Sequence, residues 1–300
     1  MISGMYAAIS GLDANQTTLN AVANNLANVN TIGYKSSRVT FAESLNQLVH
    51  SAAGATPGNG GSNPEQIGLG VRVNSTDNEM TQGSFQTTNN PLDVAIEGEG
   101  FLRAGSGTPP AKAPFTSGLP TNVNYTRAGD LTTDPNGFLI TQSGLYVVGR
   151  EAVATVTEAG TTYAPGKAET YIVVPPGSAN VAIGEDGSVS YTDENPASAT
   201  YQKHVVAGYL TLAKFSNRAG LERVGGSLWA ETANSGVPIV GIPSNEGFGP
   251  TVGGQLEMSN VDLASEMTSM VTAERGYQAN ARVITTADEM MSTVVNMLHG

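Results

Sequence analysis

Apolar residues recur at alternating steps of three and four from the first turn of the chain: Ile2, Met5, Ile9, Leu12, Gln16, Leu19, Ala23 and Leu26, with only Gln16 polar. This spacing lays one stripe along a helix and has the heptad-like repeat of a helix that meets other helices. A second face carries Gly4, Ala7, Gly11, Ala14 and Ala21, small enough to let a neighbouring helix come close. Asn24, Asn25, Asn28 and Asn30, followed by Thr31-Ile32-Gly33, predict the end of the helix. Asparagine competes for backbone hydrogen bonds, and glycine accepts the left-handed cap.

The far end of the chain answers with the same pattern. Leu263, Met267, Met270, Glu274, Tyr277, Ala281, Ile284, Asp288, Met291, Val295 and Leu298 follow at alternating four and three. A second stripe, Val283, Ala287, Met290, Val294 and Met297, runs beside its last half. Ser259 with Asp262 three residues later has the capping-box form and predicts the helix start there. Such a helix spans on the order of 60 Å at its rise of 1.5 Å per residue. Each end carries more apolar surface than one partner helix covers, so further copies of the chain are the expected partners.

Between the ends the period falls to two. "NNPLDVAIEGEGFLRA" alternates around Leu92, Val94 and Ile96. "YTRAGDLTTDPNGFLITQSGLYVVGR" reads as three strands joined by turns at Asp134-Pro135-Asn136-Gly137 and Gly144. "ANVAIGEDGSVSYT" reads as a hairpin around Asp186-Gly187, and "VVAGYLTLAKF" as one more strand. Segment 52–64 is Gly/Ala/Pro-rich and flexible, and 104–122 and 234–254 are loop-rich. The expected fold is α+β: terminal helices forming a coiled-coil layer, with a mainly antiparallel β-domain inserted between them. The expected division is a helical domain of 1–33 with 258–300, an extended linker layer of 34–75 with 234–257, and a β-rich outer domain of 76–233.

Composition narrows the function. With 14 Lys and Arg against 26 Asp and Glu, the formal charge of −12 offers no basic surface for nucleic acid. There is no cysteine, hence no disulfide or thiolate metal site. No apolar run reaches the roughly 18 residues of a membrane span, so no membrane insertion is expected. The first basic residue is Lys35, which leaves no basic leader of a cleaved secretory signal.

Candidate chemistry is thin. His50, His204 and His299 lack metal-ligand spacing, and no phosphate loop or G-x-S-x-G motif is present. "TTDPNG" has the outline of a calcium loop, but Thr132 and Ser143 stand where ligands belong, so it reads as a β-turn. Glu97 and Glu99 have the period-two spacing of a glycosidase pair on one strand face, and read more simply as solvated edge charges. Trp229 reads as a core or interdomain anchor. The expectation is a protein with no catalytic site, no cofactor and no metal.

Four blocks, in order, resemble the bacterial flagellar rod and hook (axial) protein family: "SGLDANQTTLNAVANNLANVNTIGYK", "TQGSFQTTNNPLDVAIEGEGFLRA", "YTRAGDLTTDPNGFLITQSGLYVVG" and "LEMSNVDLASEMTSMVTAERGYQANARVITTADEMM". The positions carrying the pattern are Asn24, Asn25, Asn28, Gly33, Lys35, Asn90, Pro91, Asp93, Gly98, Gly100, Ser259, Asn260, Arg275 and Asn280. The resemblance implies a structural subunit exported to the flagellum through the type III apparatus without a cleaved signal. It implies self-polymerisation into a hollow helical tube, with contacts to other axial proteins of the rod and hook–filament junction, to a hook cap and to the export apparatus. The polymerisation interface would then use Ile2, Met5, Ile9, Leu12, Leu19, Leu26, Leu263, Met267, Met270, Tyr277, Ile284, Met291, Val295 and Leu298.

Gly276, Gln278, Asn280 and Arg282 look most like a short hook protein, a flexible universal joint passing on motor torque; the distal rod is the alternative. A reading of another class is a secreted, oligomeric carbohydrate-binding or adhesive β-protein.

Overall fold

The computed structural model describes residues 2–55, 60–110, 115, 118–157, 160–194, 196, 200–245 and 247–299. The chain divides into two compact units, one of 1–28, 36–79 and 261–300, the other of 29–35 and 80–260.

The first unit is built on two long helices, α1 (Ile2–Ala27) and α2 (Leu263–His299). Helix α1 stops at the asparagine cluster, where the Asn28 N–H donates to the carbonyls of Asn24 and Asn25. Helix α2 starts later than the capping-box pattern predicts. Asp262 itself is the cap: its Oδ1 accepts the Ala264 N–H at 2.9 Å and the Ser265 N–H at 3.4 Å, so Ser259 lies outside the helix. A carboxylate aimed at the second and third amides satisfies donors that the first turn leaves open.

Of segment 34–75, expected as an extended linker, residues 36–75 belong to this unit and carry ladder hydrogen bonds. Strand Ser37–Glu43 pairs antiparallel with Val71–Asn78, bulged between Thr40 and Phe41. Asn46–His50 pairs with Glu65–Gly68. Helix α1 packs on the first pair, where Ser10 Oγ accepts the Val71 N–H at 3.2 Å. Of the flexible stretch predicted for 52–64, residues 56–59 lie outside those described, and Ala53 bridges to Ser62.

The second unit is antiparallel β. Among the described residues its main sheet has 13 strands, with a central path 179–183, 188–192, 204–210, 146–157, 101–106, 122–126, 228–230 and 222–225. The hairpin around Asp186-Gly187 is present as read. At the Asp134 turn, Asp134 Oδ1 accepts the amides of Asn136 and Phe138 at 2.9 and 2.8 Å, and Gly137 has φ 87°. The aspartate thus closes the turn on itself in the Asx manner. The single strand expected in "VVAGYLTLAKF" is two, His204–Leu210 and Leu212–Lys214. The break is at Thr211, whose buried hydroxyl donates to the Val148 carbonyl at 2.8 Å.

Two apolar clusters fill this unit. One gathers Val94, Ile96, Leu102, Leu139, Ile172, Leu210 and Leu212 among others. The other packs Phe101, Tyr125, Phe215 and Leu221 around Trp229, which is therefore a core residue. Residues 234–257, expected in a connecting layer, run inside this unit and contribute strands Ile239–Gly241, Thr251–Gly253 and Gln255–Glu257.

Candidate functional site

Within the first unit α1 and α2 lie face to face, and three contacts fix how. A Cβ on Gly11 would come within 2.6 Å of Asn280 Nδ2, and one on Gly276 within 2.9 Å of Asn15 Oδ1. Asn25 Nδ2 donates to Glu266 Oε1 at 2.9 Å. The two residue numbers have the same total in all three pairs, which is the signature of an antiparallel register without slip.

The faces in contact are the small ones. Ala8, Gly11, Ala14, Val22 and Asn25 of α1 are buried, as are Ala273 and Ala287 of α2. The large apolar stripe read on α2 lies mostly outside this seam, and the one on α1 is partly covered. Met5, Leu12, Leu19 and Leu26 are half-buried, and Ile9 is exposed. On α2, Leu263, Met267, Tyr277, Met291 and Val295 are exposed, while Met270 and Ile284 are half-buried and in phase with Ala273 and Ala287. The side chains of Ile2 and Leu298 lie outside those described. Tyr6, Val271, Val283, Met290, Val294 and Met297 add to the exposed apolar surface, Met297 being 75 % exposed. Small residues let two helix axes approach closely and consume little apolar area, so the pair closes while much of the large apolar surface, that of α2 above all, stays wet.

The family-pattern residues do a different job from the stripes. Asn25, 1 % exposed, accepts the Ser37 N–H through Oδ1 at 2.9 Å and donates through Nδ2 to the Ser37 carbonyl and to Glu266. One amide therefore joins the end of α1, the first strand of its unit and the first turn of α2. Asn28 Nδ2 donates to Asn24 Oδ1 at 2.9 Å, and Arg275 is exposed on α2.

In the β unit, Gly33 turns with φ 65°, and a Cβ there would lie 2.5 Å from the Ala128 nitrogen. Lys35 Nζ is buried between Glu257 Oε1 at 2.6 Å and the Thr81 carbonyl at 2.7 Å. Arg127 Nη1 reaches Glu257 Oε2 at 3.0 Å, and the Gly83 N–H donates to Glu257 Oε1 at 2.9 Å. Burial pulls the Lys35 ammonium below its ordinary pKa, against the opposing pull of Glu257, and lowers Arg127 for the same reason. Arg223 donates to the Lys35 carbonyl and stacks on Tyr34 and Trp229 at 4.7 and 5.0 Å.

Asn90 and Thr88 both donate to Asp93, at 2.8 and 2.5 Å, around an exposed Pro91. Gly98 and Gly100 have φ 93° and 142°, and Leu212 fills the space a Gly100 side chain would need. Ser259 is buried, and Asn260 Nδ2 donates to Thr81 Oγ1 at 2.8 Å. The motif thus pins the two passages of chain, 29–35 and 254–260, into the β unit.

Sequence reasoning missed Glu257, Arg127, Glu266 and the two Asn–Gly contacts. Glu257 had a signal: one acid between Leu256 and Met258, in a stretch with no other charge until Asp262. The Glu97–Glu99 pair is not on a strand, because the strand ends at Ile96 and the next begins at Phe101. Glu99 is ion-paired to Lys214 at 2.7 Å and Arg218 at 3.0 Å, and the hydrogen bond from Lys214 lowers its pKa. Among the described residues no three His, Cys, Asp or Glu side chains are grouped to hold a metal, and no helix is long and apolar enough to cross a membrane.

Three family models match the chain in order: "Flagella basal body rod protein" over residues 5–35, "Flagellar hook protein FlgE/F/G D1 domain" over 95–191, and "Flagellar basal body rod FlgEFG protein C-terminal" over 252–297. The chain is 37% identical over 300 residues to the flagellar basal-body rod protein FlgG of Bacillus subtilis, covering 99% of each. It is 34% identical to the FlgG of Borreliella burgdorferi, again over 99% of each. To the flagellar hook protein FlgE of Borreliella burgdorferi it is 24% identical, in an alignment stretched to 453 residues that covers 99% of this chain and 100% of that one.

Proposed function

The chain belongs to the flagellar rod and hook protein family, whose members are structural proteins of the flagellum, and we propose that it is a subunit of the rod, polymerising through its terminal helices. The contrast within one organism supports rod over hook. The Borreliella burgdorferi rod protein aligns end to end at 34%, whereas the hook protein there aligns at 24% and only by opening the alignment to 453 residues. The hook reading, taken from "LEMSNVDLASEM" and "RGYQANARVITTADEM" and above all from Gly276, Gln278, Asn280 and Arg282, rests on the C-terminal part alone, while the rod relatives match along the whole chain.

The observation that carries polymerisation is the division of labour on the helices: small faces meet within the chain, while the large apolar stripe of α2 is left mostly exposed and that of α1 only half-covered. Exposed apolar surface of this extent marks an interaction site. Other copies of the chain are the partners that fit it, since the stripes continue the same heptad-like repeat on both helices. Other axial proteins, a cap and the export apparatus are further partners consistent with the family.

The test is assembly of the purified chain, imaged by electron microscopy as concentration is raised. Straight tubes are expected, and removal of 2–27 or 263–299 should abolish them. Bent tubes would favour the hook, and tubes formed by a chain lacking both helices would refute the mechanism.

A further inference from the structure

The two helices carry the same pentapeptide pattern at the point where they touch. Gly11-Leu12-Asp13-Ala14-Asn15 in α1 and Gly276-Tyr277-Gln278-Ala279-Asn280 in α2 both read Gly-x-x-Ala-Asn. In the antiparallel pair each asparagine lies over the other helix's glycine: Asn280 over Gly11, Asn15 over Gly276. Asn15 Nδ2 donates to the Gly11 carbonyl of its own helix at 2.7 Å, which fixes its amide and turns Oδ1 towards Gly276.

We infer that these two pentapeptides form a reciprocal recognition element that sets the register of α1 on α2 and selects that partner. The physical basis is complementarity of bulk. Neither glycine tolerates a Cβ without moving the facing amide, and each amide occupies space that only glycine leaves open. A slip of one heptad in one direction sets Asn15 against Val283, Asn280 against Thr18 and Gly276 against Val22, so no asparagine meets a glycine. The opposite slip sets Asn15 against Ser269, Gly11 against Ala273 and Gly276 against Ala8, and keeps only one asparagine–glycine contact, Asn280 on Gly4, so the reciprocity is lost. Polar residues in a helical seam fix register in this way, at some cost in stability. Apolar stripes alone discriminate poorly, because leucine and methionine pack acceptably one heptad away. In a polymer each α1 is surrounded by many copies of the same sequence, so a register code has a clear use. The inference holds for the single chain whether or not copies polymerise.

The chain has no cysteine, so register can be read by engineered disulfide trapping in the full-length protein. Thr18→Cys with Ala273→Cys is level by the same residue-number total as the Gly–Asn pairs, and oxidation traps the pair even when it is sampled only part of the time. Exchanging one pentapeptide alone (Gly11→Asn with Asn15→Gly) sets amide against amide and glycine against glycine. Trapping should slow about tenfold, the scale of coupling between touching residues. Exchanging both pentapeptides, by adding Gly276→Asn and Asn280→Gly, restores reciprocity and should return trapping to within about threefold of the starting rate. A half exchange that traps as fast as the parent overturns the inference. So does a full exchange slower than the half, since that is what helix propensity alone gives, and so does failure of the parent pair to form the bridge.

Discussion

Lys35 and Glu257 stand 222 residues apart in sequence and meet at 2.6 Å, both almost fully buried. Each lies on a passage of chain that the family pattern marks, and Arg127 joins them on the second carboxylate oxygen. One carboxylate therefore holds two buried cations, and no other acid is bonded to either of them among the described residues.

Glu257→Gln should for that reason destabilise the β unit strongly. Breaking a buried ion pair costs about 3–5 kcal/mol, because the partner charge is left in low dielectric. Trp229, the only tryptophan and buried in the same unit, reports unfolding by fluorescence. A urea midpoint within error of the parent would show that the cluster is ornamental.

The same cluster sets where the chain can be cut. A fragment of 29–260 keeps Lys35, Arg127 and Glu257, and should fold with a cooperative Trp229 transition. A fragment of 37–256 removes Lys35 and Glu257 and leaves Arg127 buried with no carboxylate. It should unfold at lower urea by a margin similar to that of Glu257→Gln. Equal midpoints for the two fragments would refute the role given to the cluster.

Alkaline stability turns on buried tyrosines. Burial, with Glu231 beside it, pushes the Tyr125 hydroxyl up to about 12. Between about pH 10 and 12 the unfolded chain releases this proton first, so it binds fewer protons than the fold. Stability is then lost as pH rises through that window. Tyr171, Tyr191 and Tyr209 are raised by burial too and act in the same direction. Lys35 acts the other way, since its depressed pKa favours the fold as pH climbs towards 10.5. Tyr125→Phe should flatten the fall in the Trp229-monitored midpoint above pH 10; an unchanged slope would remove Tyr125 as its cause.

The helices, the end of α1 and several strand runs of the middle were legible in sequence because each rests on a local period or turn. Val94 to Ile96, the Asp134 turn and the Asp186 hairpin are such cases. What was not legible depends on residues far apart. Nothing near Glu257 announces Lys35 or Arg127, and nothing in "SRVTFAE" announces its partner "VRVNSTDN" across the glycine-rich stretch. The stripes on α1 and α2 were found, but not which face the chain would use for itself. Periodicity measures how apolar a face is, whereas the intrachain contact places the Asn280 and Asn15 side chains against Gly11 and Gly276. Ile284 shows the consequence: it belongs to the large stripe by sequence and is half-buried in phase with Ala287.

Substitutions on the two faces should therefore separate folding from assembly. Ala14 is buried at the seam, so Ala14→Asp sets a carboxylate against α2 and should cost several kcal/mol of helix pairing. Loss of helical circular dichroism and of assembly together is the expected result. Ile284→Asp should resemble it, because that side chain also lies towards the seam. Met291 is exposed on the outer stripe, so Met291→Asp should leave the free chain within about 0.5 kcal/mol of the parent. In the polymer the same carboxylate would be buried against another copy, at a cost of about 3 kcal/mol or more, and the concentration needed for assembly should rise more than about a hundredfold. If Met291→Asp assembles at the parental concentration, the outer stripe does not face another subunit. If instead it loses helical signal as Ala14→Asp does, Met291 serves the intrachain pair and the two faces have been assigned the wrong way round.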